Sequence, residues 1–369
     1  MSAIQDRFAA LMRHRAGAEP PPVLTPALAR KLIARLDGVR LFAHGYALLT
    51  NLTHGRVKPA DLLDFAWRHE LQGLCLHVLD GEENSLSQMS DAQLRDFGAR
   101  ARELGLDLHV EISTTRRDSV DKAVAIARAI GSRNIRVYSR YEGRLSQVMD
   151  LIETDLRYLA DLADLHDLNF DFEQHEELKS HEIATLLRRV GHPRLNALFD
   201  FGNMINANEQ PLPALRALAP HIRQVHLKGV HIVPQGHGTG HRGVLQGSAE
   251  DDMPGPRMFF DLLMLGERAT QVVAFALEQE NHYVAPAFRQ SDEDADPFIP
   301  YREMSETGLP EGHTLDSMTA GEHRWLENQL AYMRGLIRAL RLLAELVLAE
   351  AGQTATPSIE PFELVGEPQ

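Results

Sequence analysis

Hydrophobic and polar positions follow two alternating rhythms along the central part of the chain. Short runs with the period of two that is typical of β-strands are separated by longer stretches with the period of an α-helix. Most strand starts are spaced by roughly 26 to 35 residues, which is the length of one strand–helix unit. Eight predicted strands result, at 41–49, 73–80, 106–113, 134–139, 168–175, 195–202, 222–229 and 272–280.

Eight strand–helix units in series predict an α/β protein that closes as a (β/α)8 barrel, the TIM barrel. An open, doubly wound sheet is the alternative, but it usually has fewer strands and a glycine-rich phosphate loop after its first strand. No such loop follows 41–49. We therefore expect a helical extension at 1–40, the barrel at 41–352 and a loose tail at 353–369.

Capping residues mark several predicted helix ends. Thr25 before Pro26 offers a hydroxyl cap, followed by a residue that has no N–H to satisfy. We expect Ser180 to cap the helix after the fifth strand, and Asp118 or Ser119 to open the helix after the third.

Two long segments interrupt the rhythm, both after the carboxyl ends of strands. Residues 229–256 read as a long glycine-rich loop, and 281–320 delay the last helix, which is expected at about 321–351. The second segment combines four prolines, an acidic run and flanking aromatic residues. We expect it to fold over the barrel mouth with its aromatics inward, over its own site or a neighbour's, where it would shape substrate choice and exclude water.

Ionisable residues share the inward-facing phase of the last four strands. In "FDFEQH", two phenylalanines face one side of the strand, while Asp171, Glu173 and His175 face the other. The same phase brings one ionisable group from each of these strands to the barrel mouth: Glu173, Asp200, His226 and Glu278.

This set of side chains predicts a metal site. Three carboxylates at one point would repel one another unless a cation lay between them. Singly, each residue is better explained as a helix cap or an ion-pair partner, but four in one phase on consecutive strands favour a metal. Three oxygen ligands and one imidazole suit one divalent ion, with Mn²⁺ first and Mg²⁺, Co²⁺ or Zn²⁺ as alternatives.

The same four strands resemble those of a known superfamily. The sequences "FDFEQH", "LFDFGN", "VHLKG" and "FALEQE" look like the signature strands of the xylose isomerase-like TIM barrels, which include sugar phosphate isomerases and epimerases, ketose 3-epimerases, hydroxypyruvate isomerases and inosose dehydratases. The resemblance covers about 41–350 and is concentrated in those strands. It implies that the four side chains bind one divalent ion and that Glu173 and Glu278 exchange the substrate proton, as in the epimerases.

The chain departs from the family pattern at two places. Asn203 stands where many members have a histidine three residues after the strand-6 aspartate. Gly229 stands where many have an aspartate after the strand-7 lysine. The first departure argues against a site with several zinc ions, and the second leaves the exact reaction open.

The chemistry predicts an enzyme. A divalent ion that binds a substrate carbonyl and the adjacent hydroxyl acidifies the neighbouring C–H and stabilises an enediolate. Proton return by the two glutamates then gives a metal-dependent isomerase or epimerase of a small sugar or keto sugar. Loss of hydroxide or CO₂ instead gives the alternative, a lyase (dehydratase, eliminase or decarboxylase) acting on an oxidised sugar or sugar acid.

Further polar residues near the barrel mouth are candidate substrate contacts, each with a structural explanation beside the functional one. Lys228 can hold a substrate oxyanion or form an ion pair at the top of the barrel. Interior hydrogen bonding explains Glu111 and Arg140 equally well. His231 and Arg242 would reach a substrate only if their loop closed. The candidates are His175, Lys228, Asn203, Glu111, Arg140, His231 and Arg242.

Composition narrows the remaining classes. Asp and Glu outnumber Lys and Arg by 52 to 38, a formal net charge of −14, which argues against nucleic acid as a partner and against the DNA-repair endonucleases that share this barrel. A non-catalytic, ligand-binding barrel is disfavoured by the complete set of metal ligands. Cys75 is the single cysteine, which excludes an internal disulfide and fits a reducing compartment.

Localisation and assembly follow from the same data. The N-terminus lacks the apolar core of a secretory signal, and no apolar run is long enough to span a bilayer. We therefore expect a cytoplasmic protein with a small-molecule carbohydrate substrate and no membrane partner. We also expect a homo-oligomer, either a dimer or a tetramer.

Overall fold

Eight parallel strands close into a barrel in sequence order, which confirms the predicted (β/α)8 fold. The structure is a computed structural model that describes residues 3–13, 19–280, 283–301 and 312–352. The predicted tail at 353–369 lies outside these residues. The barrel strands, numbered β1 to β8, are Leu41–His44, Gly73–His77, Asp107–Glu111, Asn134–Val137, Asn169–Glu173, Leu195–Asp200, Ile222–Leu227 and Ala274–Leu277.

Helices surround the barrel, and two precede it. Phe8 in the first helix is buried edge-on against Phe260, with ring centroids 5.4 Å apart, so this helix packs on the barrel's outer layer. The helices, numbered α1 to α12, are Ala3–Met12, Pro26–Leu36, Leu49–Thr53, Pro59–Arg68, Asp91–Glu103, Arg117–Ile130, Leu145–His166, Ser180–Val190, Asn203–Asn206, Pro211–Leu218, Gly255–Leu263 and Leu315–Glu350. Short strands outside the barrel are Gly143–Arg144, Gly229–Gln235, Gly238–Val244, Val284–Ala285 and Phe298–Ile299.

The predicted strands are in the right places, but each extends beyond the observed one. The largest error at a single strand end is in the first, because β1 ends at His44. The ring Nδ1 of His44 accepts a hydrogen bond from the backbone N–H of Tyr46 at 3.0 Å, and this local bond starts the 3₁₀ turn Gly45–Leu48. The apolar residues that follow are buried in helical turns, which a short apolar run does not distinguish from a strand.

The observed helix starts agree with the capping rules at α2 but not at α8 or α6. Thr25 caps α2 as predicted, accepting a backbone hydrogen bond at 3.2 Å. The prediction for Ser180 is wrong, because the backbone N–H of Lys179 donates to the Glu182 carboxylate at 2.7 Å and α8 already includes Ser180. Helix α6 begins at Arg117, so the predicted start one or two residues later is also wrong; its cap makes no side-chain hydrogen bond that could mark it.

The glycine-rich segment after β7 is a β-hairpin, not the loop that we predicted. Gly229–Gln235 pairs antiparallel with Gly238–Val244, and Val284–Ala285 adds a third strand. The glycines allow this third strand to approach, since a Cβ on Gly240 would lie 2.5 Å from the carbonyl oxygen of Ala285. Part of the hairpin spells G-x-G-x-x-G, but an antiparallel strand is not the strand-to-helix turn that binds dinucleotides.

The segment after β8 lies against this hairpin and matches the prediction only in part. Tyr283 lines the cavity described below, and Ile299 is buried. Phe298 and Tyr301 are exposed, so the prediction that the aromatics turn inward is wrong for these two. Residues 302–311 lie outside the described part of the chain.

Helix α12 begins at Leu315 rather than near residue 321. Its start is capped by the Thr314 hydroxyl, which accepts a hydrogen bond from the backbone N–H of Ser317 at 3.1 Å. This helix has 36 residues and carries buried apolar positions along its length. Within the described residues, no helix combines the length and the apolar character that crossing a membrane requires.

Because side chains alternate along each strand, the apolar ones belong to two separate hydrophobic clusters. Phe42 and Cys75 form a small buried cluster with Ala274 and Ala276 inside the barrel. Phe170, like its strand neighbour of the same phase, belongs to the larger core that includes the helices, as the alternation in β5 predicted. The ionisable residues of opposite phase are thereby directed toward the barrel interior.

Candidate metal centre and substrate cavity

The four predicted ligands lie together at the carboxyl ends of β5 to β8. Glu173 and Asp200 are the last residues of β5 and β6. His226 is next to last in β7, and Glu278 directly follows β8. All four are buried. The imidazole Nδ1 lies 3.7 Å from an oxygen of Glu173, 3.9 Å from one of Asp200 and 3.2 Å from one of Glu278.

Two of these side chains have one atom held by the protein and another directed at the cluster. Oδ1 of Asp200 accepts two backbone hydrogen bonds, at 2.7 and 2.8 Å. Nε2 of His226 pairs with a carboxylate on β3 at 3.1 Å. Within the described residues, Oδ2 of Asp200, Nδ1 of His226 and Oε2 of Glu278 are buried without a hydrogen bond of good geometry, although the ammonium group of Lys228 lies 3.0 and 2.9 Å from the two oxygens. Such atoms are rare in folded proteins, so this donor set fits a divalent cation.

The balance of charge also favours a cation. The cluster holds three more carboxylates than permanent cations, and a divalent ion offsets two of those charges. Burial raises the pKa of Asp200 to about 8; Lys228 and His226 oppose this shift, and repulsion from Glu278 and Glu173 reinforces it. The carboxylates are Glu111, Glu173, Asp200, Glu278 and Glu280, and the cations are Arg136 and Lys228.

A proton and a metal ion are alternative partners for the imidazole of His226. Burial lowers its pKa, but the carboxylates of Glu278 and Glu111 outweigh burial and raise that pKa well above its ordinary range. Metal binding to a histidine nitrogen requires that the nitrogen be deprotonated. The surroundings that favour a proton at this position favour a divalent cation for the same electrostatic reason.

Lys228 forms the ion pair that was one of its two predicted roles. Its Nζ lies 3.0 Å from Asp200, 2.9 Å from Glu278 and 3.0 Å from Glu280. Burial opposes the charge on Lys228, but these carboxylates outweigh it and raise its pKa well above the usual range. Each carboxylate oxygen has two lone pairs, so it can face both the ammonium group and a metal ion. A substrate contact for Lys228 stays a prediction.

The cluster borders a cavity of about 200 Å³. This is smaller than the roughly 300–1,000 Å³ typical of drug-sized ligand pockets, so the cavity suits a small molecule. Glu173, Glu278 and Lys228 line one part of it, and His77 and Arg140 line another. The mixture of acids, bases and hydrogen-bonding groups is typical of a site for a polar ligand.

Four of the predicted substrate contacts line this cavity: His175, Asn203, Arg140 and Lys228. The ring of His175 stacks on Tyr138, with centroids 3.8 Å apart. Asn203 donates from Nδ2 to Glu173 at 3.1 Å, and Arg140 donates from Nε to the carbonyl of Ser113 at 2.9 Å. Asn203 therefore orients a predicted metal ligand, in addition to facing the cavity.

The other three predicted contacts are not among the described lining residues. Glu111 is fully buried behind the ligands. His231 and Arg242 lie on the hairpin, where they pair with Asp252 at 2.9 Å and Glu250 at 2.7 Å. A substrate contact for either hairpin residue stays a prediction that requires the hairpin to move.

Sequence reasoning missed two residues that surround the ligands. His44 ends β1 and Arg136 lies in β4, and both contact Glu111. Their signal was present, because the two-residue phase that selected the ligands in β5 to β8 also places one polar side chain inward on β1 and on β4.

The sequence of this chain matches a known protein family. The family model described as xylose isomerase-like TIM barrel matches residues 71–267, which is more than half of the chain. The chain belongs to this family. An Escherichia coli K12 relative described as "Uncharacterized protein YihM" is 45% identical over 313 residues, spanning 85% of this chain and 95% of the relative.

Two more distant similarities concern proteins with described activities. The 3-oxo-isoapionate decarboxylase of Pectobacterium atrosepticum is 22% identical over 144 residues, which span 39% of this chain and 52% of that protein. A solved D-psicose 3-epimerase, crystallised in the presence of D-fructose, superposes with a TM-score of 0.56 at 12% identity and covers 81% of this chain and 99% of its own. This last likeness is one of fold.

Proposed function

We propose that this chain is a divalent-metal-dependent isomerase or epimerase of a small sugar or keto sugar. The observation that carries the proposal is the convergence of three carboxylates and one imidazole beside a small polar cavity. Membership of the xylose isomerase-like family and the fold shared with a D-psicose 3-epimerase support a carbohydrate substrate. The predicted dimer or tetramer stays a prediction.

The four clustered side chains would hold the ion: Glu173, Asp200, His226 and Glu278. When bound, the ion supplies a Lewis acid that polarises a substrate carbonyl and acidifies the neighbouring C–H. Mn²⁺ is the first candidate because oxygen dominates the donor set, with Mg²⁺, Co²⁺ and Zn²⁺ as alternatives.

Glu173 and Glu278 are the proposed proton carriers, because both line the cavity. Glu173 is oriented by Arg136, whose Nε lies 3.2 Å from Oε2. Burial raises the pKa of Glu278, but His226 and Lys228 outweigh burial and hold that pKa well below its usual range. Glu278 is therefore ionised at neutral pH, as a group that accepts a substrate proton must be.

Ser113, held by His77, provides a neutral hydroxyl for substrate hydroxyls at the cavity wall. Nδ1 of His77 accepts a backbone hydrogen bond from Leu79 at 3.2 Å, so the hydrogen lies on Nε2, 3.0 Å from the Ser113 hydroxyl. Burial, aided by the charge of Arg136, lowers the pKa of His77 to about 3 and keeps the ring neutral. A hydroxyl that is held by a neutral imidazole suits uncharged hydroxyls better than charged groups.

A metal-dependent lyase is the second candidate. It is favoured by the similarity to 3-oxo-isoapionate decarboxylase, which extends over 144 residues. The same ligands and the same acidified C–H or C–C bond serve both reactions. The fate of the substrate therefore distinguishes the two candidates, whereas the ligands do not.

The proposal is tested by metal analysis combined with a substrate screen. The purified chain is loaded with Mn²⁺ and incubated in D₂O with ketoses and 3-keto sugars. An isomerase or epimerase incorporates deuterium into a product of otherwise unchanged composition, whereas a lyase releases water or CO₂. Absence of bound divalent metal in the purified and reloaded protein would overturn both candidates.

A further inference from the structure

Glu111 occupies the centre of a buried polar network behind the proposed metal site. It is the last residue of β3 and is fully buried. Its Oε1 lies 3.1 Å from Nε2 of His226 and 3.1 Å from Nε2 of His44. Its Oε2 accepts a hydrogen bond from Nη2 of Arg136 at 2.5 Å. One carboxylate therefore contacts one of the proposed ligands and two further side chains.

The network determines which ring nitrogen of His44 carries hydrogen. The backbone N–H of Tyr46 donates to Nδ1 of His44 at 3.0 Å, so this nitrogen acts as an acceptor. The hydrogen then lies on Nε2, which donates to Glu111 and is also 3.5 Å from an oxygen of Glu278.

The same reasoning assigns the ring of His226. Glu111 is ionised beside Arg136 and acts only as an acceptor, so Nε2 of His226 donates to it. The lone pair is then on Nδ1, the atom that faces the oxygens of the three other proposed ligands. A metal-bound histidine commonly donates its second N–H to a carboxylate, which fixes the ring and raises its basicity.

Arg136 and His44 connect Glu111 to two more ligands. Nε of Arg136 is 3.2 Å from Glu173, and Nε2 of His44 is 3.5 Å from Glu278. Three of the four proposed ligands are thereby braced, directly or through one residue, by a single carboxylate.

His44, Glu111 and His226 also have the spacing of a metal site of their own. Their contacts argue against that use. Nδ1 of His44 is engaged by the backbone, and both oxygens of Glu111 already face N–H donors. The guanidinium of Arg136 at 2.5 Å would repel a cation bound there.

We propose that Glu111 is a positioning residue, which holds His226 in the tautomer whose Nδ1 binds the divalent ion. The inference rests on the proposed metal site and adds a residue that lies outside both the ligand set and the cavity lining. Glu111 was predicted from sequence as a substrate contact, and the structure favours this different role.

The experiment measures Mn²⁺ affinity by calorimetry in the wild-type chain and in Glu111→Gln. The variant is expected to bind Mn²⁺ about 10- to 100-fold more weakly, which is the usual effect of removing such a partner. Asp171→Asn is the matched control: Asp171 is equally buried in the barrel and pairs with Arg223 at 3.2 Å rather than with a ligand. Its affinity is expected to stay within about twofold of the wild type.

Equal losses in the two variants would show a general softening of the barrel and overturn the inference, as would unchanged affinity in Glu111→Gln. A second measurement does not use the Glu111→Gln variant. Ring ¹⁵N resonances of the wild-type chain with Zn²⁺ should show His226 protonated at Nε2 and metal-bound at Nδ1, with the resonance assigned by its loss in His226→Gln. Protonation at Nδ1 would overturn the inference while leaving the proposed function standing. A wild-type chain that binds no divalent ion would overturn both.

Discussion

The two halves of the barrel both end their strands in ionisable residues, but they use these residues differently. In the half formed by β5 to β8, Oδ2 of Asp200 and Oε2 of Glu278 face both Lys228 and Nδ1 of His226 beside the cavity. In the half formed by β1 to β4, His44 and Arg136 both bond to Glu111. One half thus offers atoms to a ligand, and the other holds those atoms in place.

The comparison shows that buried acids in the two halves differ in where their partners lie, not in whether they have partners. Glu111 and Glu278 are both buried acids at strand ends, yet both oxygens of Glu111 face N–H donors behind the ligands, whereas Oε2 of Glu278 faces Lys228 at 2.9 Å and Nδ1 of His226 at 3.2 Å beside the cavity. Asp80 is an exception in the first half, since its Oδ2 is buried without a hydrogen bond at the cavity wall.

The largest expected effect concerns the two proposed proton carriers. Glu173→Gln and Glu278→Gln should each lower kcat by about 10²- to 10⁴-fold, because the amide cannot accept a substrate proton. Glu280→Gln is the control: Glu280 also contacts Lys228, at 3.0 Å, but is not a proposed ligand, so a smaller loss is expected. Turnover is measured as deuterium incorporation alongside metal content. Near-wild-type kcat in both variants would contradict the two-carboxylate mechanism.

Lys228→Met should destabilise the fold substantially. It leaves three carboxylates without their shared ammonium group, and breaking a buried ion pair typically costs about 3–5 kcal/mol. The free energy of unfolding is measured by urea denaturation of the metal-free protein. A loss below about 1 kcal/mol would show that the lysine is not needed to hold the carboxylates together.

Asp80 provides a pH-dependent test in the first half. Burial raises its pKa to about 7, with His44 and Arg136 opposing and Glu111 reinforcing the shift. The folded state then keeps a proton that the unfolded chain has already lost, so this group's contribution to stability is full below about pH 4 and is lost as pH rises to 7.

Asp80→Asn should therefore flatten the loss of stability between about pH 4 and pH 7, and at pH 8 it should stabilise the fold by about 1–3 kcal/mol. Urea unfolding at several pH values checks both. A variant that is less stable than the wild type at pH 8 would show that ionised Asp80 has a partner in solution.

The smallest effect is expected at the opposite end of the barrel. Arg40 and Asp107 form an exposed ion pair of 2.7 Å at the amino ends of β1 and β3. Arg40→Met should change the free energy of unfolding by about 0–1 kcal/mol, since solvent screens exposed pairs. A loss as large as that of Lys228→Met would remove the distinction between the buried cluster and the surface.

The order of elements and the four proposed ligands could be predicted because both depend on local pattern. Alternation with period two decides which face of a strand a side chain occupies, whatever that strand's neighbours are. Glu173 and Asp200 therefore could be assigned to the interior before any strand partner was known. The helix start at Thr25 was equally local, since a hydroxyl and the following proline suffice.

Local pattern misjudged the elements that depend on distant contacts. The sequence predicts a loop at 229–244, because glycines are turn-forming residues in isolation, whereas the structure has a hairpin there. The glycines are needed because Val284–Ala285 pairs with the hairpin, and the backbone of that strand occupies the space that a side chain would fill. The predicted strand ends were also wrong where a side chain decides them. In β1, the hydrogen bond between the His44 ring and the backbone of Tyr46 ends the strand.

The sequence by itself determined the barrel, the inward face of each strand and the residues that reach the mouth. Only the tertiary structure decided which of them are paired: Lys228 with three carboxylates, and Glu111 with His226, which lies 115 residues away along the chain. The physical reason is the distance along the chain over which each effect acts. The direction of a side chain is fixed by the backbone of its own strand, whereas its electrostatic partners are brought to it by closure of the barrel.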